Sequence, residues 1–202
     1  MDEALRPTLN WALRLLLALA LLALPATTAS PTLVKSMLPA ARAWLGFLEP
    51  AFVVRSLTVE RSGGRDRLRL EVSLAEPVRV GNTVVKPHPR GRARAEVPLA
   101  QVWVAPLLMV LVLLAWPARG WIEWALRAAL ALPAGVVLVA ADAPVVLLAE
   151  IWKLLRHAHG EAAFHGLVAS AELLRAGGRF GIGLVAAAAL VMLVRRLMPA
   201  RA

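Results

Sequence analysis

Four long apolar stretches run along the chain, and charged residues flank each of them. They extend from Leu15 to Val34, from Val97 to Ala118, from beyond Arg127 to Ala141, and from Phe180 to Val194. A bilayer core about 30 Å thick is crossed by roughly 20 residues of helix. The pattern therefore predicts a mainly α-helical membrane protein with about four transmembrane helices.

The first stretch has two interpretations. Dense apolar character is confined to Leu15 to Leu24, and small residues such as Ala29 follow at the distance of a signal-peptidase site. Asp2 and Glu3, however, lie where a signal peptide carries positive charge. We therefore expect residues 1–30 to form an N-terminal transmembrane anchor, with a cleaved signal peptide as the alternative.

The third stretch is interrupted by an acid. Asp142 precedes Ala143 and Pro144, and Asp caps helix N-termini while Pro is tolerated in a first turn. We expect the third helix to end near Ala141, with Asp142 as a cap at the interface. The alternative places Asp142 inside the membrane, where an acid is expensive to bury and is usually functional.

Between the first two stretches, residues 31–97 have a different pattern. Apolar residues recur at helical spacing after Pro31, which predicts an interfacial amphipathic helix or an ordinary core helix. From Phe52 the period changes to two, and Ser62-Gly63-Gly64-Arg65-Asp66 and Gly81-Asn82 are typical hairpin turns. We predict a small antiparallel β-module between the first two spans, on the extracytoplasmic side.

Residues 98–202 are expected to form a three-span helical membrane domain. Its third and fourth spans are joined by a second amphipathic segment, residues 161–176, which we expect to lie in the membrane interface. Gly177 and Gly181 have the spacing of GxxxG, which allows close helix packing.

Composition agrees with a membrane protein and narrows the chemistry. Hydrophobic residues make up 59% of the chain, and the mean hydropathy is +0.67. The absence of cysteine excludes disulfides, thiolate metal sites and cysteine nucleophiles. The net charge of +10 indicates an anionic counterpart such as lipid headgroups or an acidic partner.

Five arginines of the β-module are candidates for contact with lipid or a partner protein: Arg67, Arg69, Arg90, Arg92 and Arg94. Alternation places the first two on one face of one strand and the last three on one face of another. Aromatic residues for base stacking are not interleaved with them, so we expect no nucleic-acid binding. The alternative is a solvated polar face of a half-buried sheet.

A cluster of imidazoles and a carboxylate is the weak candidate for a metal site: His157, His159, Glu161 and His165. These groups are suitable ligands for zinc, but their spacing fits no established motif, and exposed polar residues in a loop are the alternative. No P-loop, HExxH or GxSxG motif is present in the sequence. We therefore expect no catalytic residues, no cofactor and no resident metal.

The order of these segments, together with Ala115-Trp116-Pro117-Ala118-Arg119, the stretch from Asp142 to Trp152, and Gly177-Gly178-Arg179-Phe180, resembles the exosortase H-associated membrane protein family. The resemblance implies an accessory component of a bacterial inner membrane, beside an exosortase that sorts proteins. Exosortases use a catalytic cysteine, which this chain does not have.

We accordingly expect a non-enzymatic accessory protein of the inner membrane with both termini in the cytoplasm, because arginines concentrate near both ends. Its expected partners are lipids and another integral membrane protein of exosortase type. Two other functions stay open: a metal-dependent membrane hydrolase using His157, His159, Glu161 and His165, or a transporter subunit with Asp142 on an ion path.

Overall fold

A computed structural model describes residues 30–159 and 165–198 of the chain, which form a mixed α/β structure. The chain divides into two compact units. The α/β unit contains Pro31–Val102 and Val139–Gly178, and the described part of the helical unit contains Trp103–Leu138 and residues 179–198. Each unit therefore combines segments that lie far apart in the sequence.

The α/β unit begins with helix α1, Ser30–Leu48, which is amphipathic. Val34, Met37, Ala41 and Leu45 are buried, and their spacing of three or four residues places them on one side of the helix. Trp44 and Phe47 are exposed and stack on each other with ring centroids 5.3 Å apart. The helix therefore contributes one apolar face to the core and leaves an aromatic pair outside it.

Three antiparallel strands follow in the order β1-β2-β5: β1 is Phe52–Ser62, β2 is Arg65–Leu74 and β5 is Ala93–Pro98. A separate hairpin pairs β3, Val78–Val80, with β4, Thr83–Val85. Gly63 and Gly64 connect β1 and β2 at φ 59° and 74°. Two successive positive φ values favour glycine, and they make the turn tighter than the five-residue loop predicted from the sequence.

A β-bulge keeps the apolar side of β1 on the core. Apolar residues occupy even positions at Phe52 and Val54 but odd positions at Leu57 and Val59. Because the side-chain period of a strand is two, one extra residue is needed where the parity changes. The pairing with β2 shifts between Val54 and Ser56, so Arg55 is that extra residue.

The remaining chain is mostly helical. Short helix α2 is Leu99–Val102, α3 is Val104–Ala115, α4 is Trp121–Ala158, α5 is Gly166–Leu173 and α6 is Arg179–Leu197, with a π-helical turn at Leu174–Gly178. Gly177 in that turn has φ 120°, so the helical geometry breaks there. Two helical stretches of the described residues, Trp121–Ala158 and Gly166–Leu197, are long and apolar enough to cross a membrane.

The prediction of four transmembrane helices in a mainly α-helical fold is wrong. The expected second span begins in strand β5, breaks at Trp103, and leaves α3 with 12 residues. At 1.5 Å per residue α3 is about 18 Å long, which is shorter than a bilayer core. The expected first span lies outside the described residues.

The predicted end of the third helix at Ala141 is also wrong. Helix α4 continues through Asp142 and Pro144 for 38 residues in total. One proline removes a single backbone hydrogen bond, whereas ending the helix would leave several backbone groups without partners among buried side chains. Ala143, Val146 and Leu147 are buried just beyond the predicted break, so a continuous helix serves the core better.

The helical unit is built on contacts between α3 and α6. Met109 and Leu113 of α3 pack with Ala187 and Val191 of α6, and Ala131, Ala134 and Leu138 of α4 cover this cluster. Gly183 lies at the closest approach, because a Cβ atom there would stand 2.7 Å from the carbonyl oxygen of Ala105. The two helices can therefore approach only because residue 183 has no side chain.

Candidate functional site

The outer face of the three-stranded sheet carries alternating charges. The pairing of β2 with its neighbours brings Arg67, Arg69 and Glu71 beside residues of β1 and β5. Arg69 contacts Glu60 at 2.5 Å and Glu71 at 2.8 Å. Arg94 contacts Glu71 at 3.3 Å, and the distance between Arg67 and Glu96 is 3.6 Å.

These contacts balance three arginines against three glutamates. The hydrogen bond that Arg69 donates to Glu60 raises the pKa of Arg69, so the guanidinium keeps its charge. Because ion pairs of this kind are partly exposed, each contributes roughly 0–1 kcal/mol to stability. The six side chains give the face no net charge, and this geometry agrees with the alternative of a solvated polar face.

The expected five-arginine surface is not formed. Strand β5 begins at Ala93, so Arg90 and Arg92 lie in the preceding loop and not on the strand with Arg94. In that loop the amide of Arg90 donates to Nδ1 of His88, and the amide of Gly91 donates to the carbonyl of His88. The loop geometry therefore separates two of the predicted contact residues from the other three.

Arg92 instead lies beside Arg55, a residue that the sequence reasoning missed. Both line an open cleft of about 340 Å³, together with Ser56, Glu71, Ser73, Pro89 and Gly91. Nε of Arg55 donates to Oγ of Ser73 at 2.8 Å, and Ser73 is buried. The sequence does contain a signal for this arrangement. Apolar residues of β1 change from even to odd positions after Val54, which indicates a bulge near Arg55.

The histidines of the predicted metal cluster have separate surroundings. His157 is exposed near the end of α4, and Nδ1 of His159 lies 2.8 Å from the carbonyl oxygen of Leu155. Glu161 lies outside the described residues. Among the residues that are described, no group of three acids and histidines is arranged to hold a metal ion.

His165 instead belongs to an aromatic cluster. Its ring stacks on Trp152 with centroids 4.0 Å apart, and Phe52 meets the same indole edge-on at 5.9 Å. The indole Nε1 donates to Oε2 of Glu49 at 3.3 Å. Burial lowers the pKa of His165, Arg156 lowers it further, and Glu49 opposes them.

Ion pairs attach the next segment to α4. Arg175 in the π-helical turn pairs with Glu150, and Lys153 lies 3.2 Å from Glu172 of α5. Val168 and Ala171 of α5 are buried. The amphipathic segment predicted for residues 161–176 thus begins its helix at Gly166 in the described chain and is paired with α4 through charged side chains.

A buried ion pair holds the corner between α3 and α4. Glu123 and Arg127 bind each other on consecutive turns, and each side chain is 1% exposed. Arg127 also donates to the carbonyl oxygens of Trp116 at 2.7 Å and Pro117 at 3.2 Å, while Glu123 accepts from the amide of Arg119 at 2.7 Å. The pair therefore satisfies backbone groups at a helix end as well as its own charges.

The remaining predicted positions are Asp142, Gly177 and Gly181. Asp142 is 8% exposed within α4. A Cβ atom at Gly177 or Gly181 would meet nothing within 4 Å, whereas at Gly183 it would meet the α3 backbone. The observed close approach thus uses Gly183 and Ala187, which have the same small-residue spacing of four.

No protein-family model matches the chain, and neither a curated protein nor a solved structure is significantly similar to it.

Proposed function

We propose that the protein is a non-enzymatic accessory protein anchored in the bacterial inner membrane. The observation that carries this proposal is the surface of α6. Gly183, Ala187 and Val191 are buried on one side of the helix, while the other side exposes apolar residues: Phe180, Ile182, Leu184, Val185, Met192 and Leu193. A surface helix facing water carries polar residues on its outer side, so this helix is suited to lipid.

Helix α4 supports the same interpretation within the helical unit. Leu132 and Val137 are 68% and 65% exposed, and no charged residue lies between Arg127 and Asp142. Arg195 and Arg196 follow the apolar part of α6, where long side chains reach headgroups and favour the cytoplasmic side. We propose that the C-terminus lies in the cytoplasm, and the two candidate crossings among the described residues would then return residue 30 to the same side. The cytoplasmic N-terminus stays a prediction, because residues 1–29 lie outside the described part of the chain.

The proposed protein partner is an integral membrane protein of exosortase type. Support for it comes from the sequence resemblance and from the α/β unit, which offers an exposed aromatic pair and a charged sheet face at which a partner can be recognised. A non-enzymatic role accords with the sequence, which has no catalytic motif.

Membrane extraction tests the anchoring. The full chain should remain in the membrane pellet after alkaline carbonate and be released by mild detergent. The paired variants are Leu184→Arg/Val185→Arg, on the exposed side of α6, and Arg195→Lys/Arg196→Lys, which keeps the charge. Release of the first variant, with retention of the second, is expected; carbonate release of the unmodified chain would contradict the proposal.

Co-purification tests the accessory role. Tagged chain expressed with an exosortase in one membrane should recover the enzyme in mild detergent, and a Trp44→Ala/Phe47→Ala variant should recover less. The control Leu132→Ala alters an exposed apolar residue of the helical unit. Recovery of no exosortase by the unmodified chain would exclude this partner while leaving the anchoring intact.

A transporter subunit is the second candidate function, because of the position of Asp142. Its carboxyl lies within a helix that is long and apolar enough to cross a membrane, and such acids often lie on ion paths. Ion flux into proteoliposomes that contain the purified chain is the test. Flux that is lost in Asp142→Asn and kept in Asp142→Glu supports this candidate, and absence of flux from the unmodified chain removes it.

A further inference from the structure

The cleft at Arg55 and Arg92 is positively charged and adjoins a sheet face whose three arginines and three glutamates contact one another. Glu71 is its acidic lining residue, and that charge is already engaged by Arg69 and Arg94. Within the described chain neither Arg55 nor Arg92 forms an ion pair. Two guanidinium groups therefore face a cleft of about 340 Å³ without an acid of their own.

The position of Arg55 is fixed by the fold. The bulge takes it out of the strict alternation of β1, and its Nε is tied to the buried Oγ of Ser73. This bond uses one edge of the guanidinium and leaves the terminal nitrogens for a ligand. A guanidinium held in this way is preorganised for the planar oxygens of a carboxylate or phosphate.

An apolar slot adjoins the cleft. It has a volume of about 180 Å³ and shares Ser73, Gly91 and Arg92 with the cleft. Its other walls are mainly apolar: Phe52, Val72, Leu74, Val85, Ala93 and Leu155, with Lys86 and His88 as further lining residues. Arg92 therefore lies where a cationic cleft and an apolar slot meet.

We propose that the cleft and the slot together bind an anionic amphiphile, with its phosphate or carboxylate against Arg55 and Arg92 and one apolar chain in the slot. Ligand sites are typically apolar cavities with a few placed polar groups, which is the arrangement here. The charge of the cleft selects an anion, and the slot selects a molecule with an acyl-like tail. The proposal goes beyond the accessory role, because it assigns a ligand to the α/β unit.

Binding of single-chain lipids to the purified full chain in uncharged detergent tests the proposal. The probes are lysophosphatidylglycerol and myristate as anionic amphiphiles, lysophosphatidylcholine as the zwitterionic match, and glycerol 3-phosphate as the headgroup alone. We expect both anionic amphiphiles to bind at least tenfold more tightly than either of the other two. The ratio between lysophosphatidylglycerol and myristate then distinguishes a phospholipid from a free fatty acid.

Two pairs of variants test separately the binding of the anionic headgroup and the binding of the apolar tail. Arg55→Gln/Arg92→Gln should weaken binding by about tenfold or more, since it removes both positive charges that would face the anionic headgroup. Its control is Arg61→Gln/Arg65→Gln, which removes the same charge elsewhere on the sheet. Val85→Trp should fill the slot and block binding, whereas Val84→Trp, on the exposed neighbouring position, should not.

Several results would overturn the proposal. Equal binding of glycerol 3-phosphate, or normal binding by Val85→Trp, would leave a simple anion site without a tail. Unchanged binding by Arg55→Gln/Arg92→Gln would exclude the cleft. Displacement of bound lipid by an acidic peptide of equal charge at lower concentration would assign the site to a protein partner. Circular dichroism of each variant confirms that it is folded.

Discussion

At the scale of single residues, the surroundings of His165 couple the protonation of its imidazole to the stability of the fold. Its ring lies on Trp152, and burial is the first cause of its lowered pKa. The folded state therefore favours the neutral imidazole, while the unfolded chain titrates near 6.5. Stability from this group is complete above pH 6.5 and is lost as the pH falls through the lower folded pKa.

We predict that the midpoint temperature of thermal unfolding decreases as the pH is lowered from 7.5 to 5.5. His165→Phe should make this decrease smaller, because unfolding then takes up fewer protons, by up to one per molecule. Phenylalanine keeps a ring on Trp152 but cannot be protonated. Unfolding monitored by tryptophan fluorescence in detergent is the measurement. His157→Gln removes an exposed histidine as the control, and an identical pH dependence in all three proteins would assign the effect to other groups.

At Gly183 the helix packing depends on the absence of a side chain. A Cβ atom there would stand 2.7 Å from the carbonyl oxygen of Ala105, a backbone atom that cannot rotate away. We predict that Gly183→Ala destabilises the helical unit by about 1–3 kcal/mol, because the gain in helix propensity is smaller than the overpacking. Gly181→Ala, where nothing lies within 4 Å, should be neutral or stabilising.

Thermal unfolding of both glycine variants in the same detergent checks this prediction. Equal stability of the two variants would mean that α3 and α6 do not approach at residue 183 in the membrane protein.

At the scale of elements, the corner between α3 and α4 depends on charges that water does not reach. Arg127 donates to carbonyls at the end of α3, and Glu123 accepts from the chain entering α4. Removal of Glu123 would leave Arg127 buried without an acid, and removal of Arg127 would leave Glu123 with the longer contact to Arg195 at 3.6 Å. Loss of one partner from a buried ion pair typically costs 3–5 kcal/mol. We predict a loss of that size for Arg127→Met or Glu123→Gln alone.

The double variant Glu123→Gln/Arg127→Met should lose less than the sum of the two single variants, because it leaves no unpaired buried charge. Chemical denaturation of all four proteins gives the coupling energy. Strict additivity would show that the two side chains do not act as a pair. Glu76→Gln, an exposed acid in a loop, controls for the change of charge.

The elements also show which features local sequence patterns can specify. Alternation identified β2, because Leu68, Leu70 and Val72 face the core without interruption. The length of α4 was beyond local signals, since Asp142 and Pro144 imitate a helix start and only burial of the following residues favours continuation. A proline is a strong boundary signal in water and a weak one among packed or lipid-facing helices.

The candidate site also has features that the sequence predicts and features that it does not. The sequence predicted that Arg67 and Arg69 share a face, which follows from the period of a strand. The pairing of Arg69 with Glu60 depends on the register set by the Gly63-Gly64 turn, and the exposure of Arg55 depends on the bulge. Cross-strand partners are long-range information that the alternation of a single strand does not contain.

At the scale of the whole molecule, the number of crossings decides which side each segment faces. Two stretches of the described chain, Trp121–Ala158 and Gly166–Leu197, are long enough to cross. Both lie between Gly64 and the C-terminus, and an even number of crossings returns the chain to the same side. The superseded four-span arrangement adds a crossing near α3 and places Gly64 on the opposite side from the C-terminus.

We therefore predict that reporter fusions at Gly64 and at the C-terminus give the same localisation, and that this side is the cytoplasm because Arg195 and Arg196 follow the last apolar helix. Gly64 suits an insertion because it lies in an exposed turn with open space around it. A paired phosphatase and fluorescent-protein reporter at each site makes the measurement, since each is active on one side only. Opposite localisation at the two sites would show that the 12 residues of α3 and their flanks cross the membrane after all, assisted by bilayer thinning around a short apolar segment.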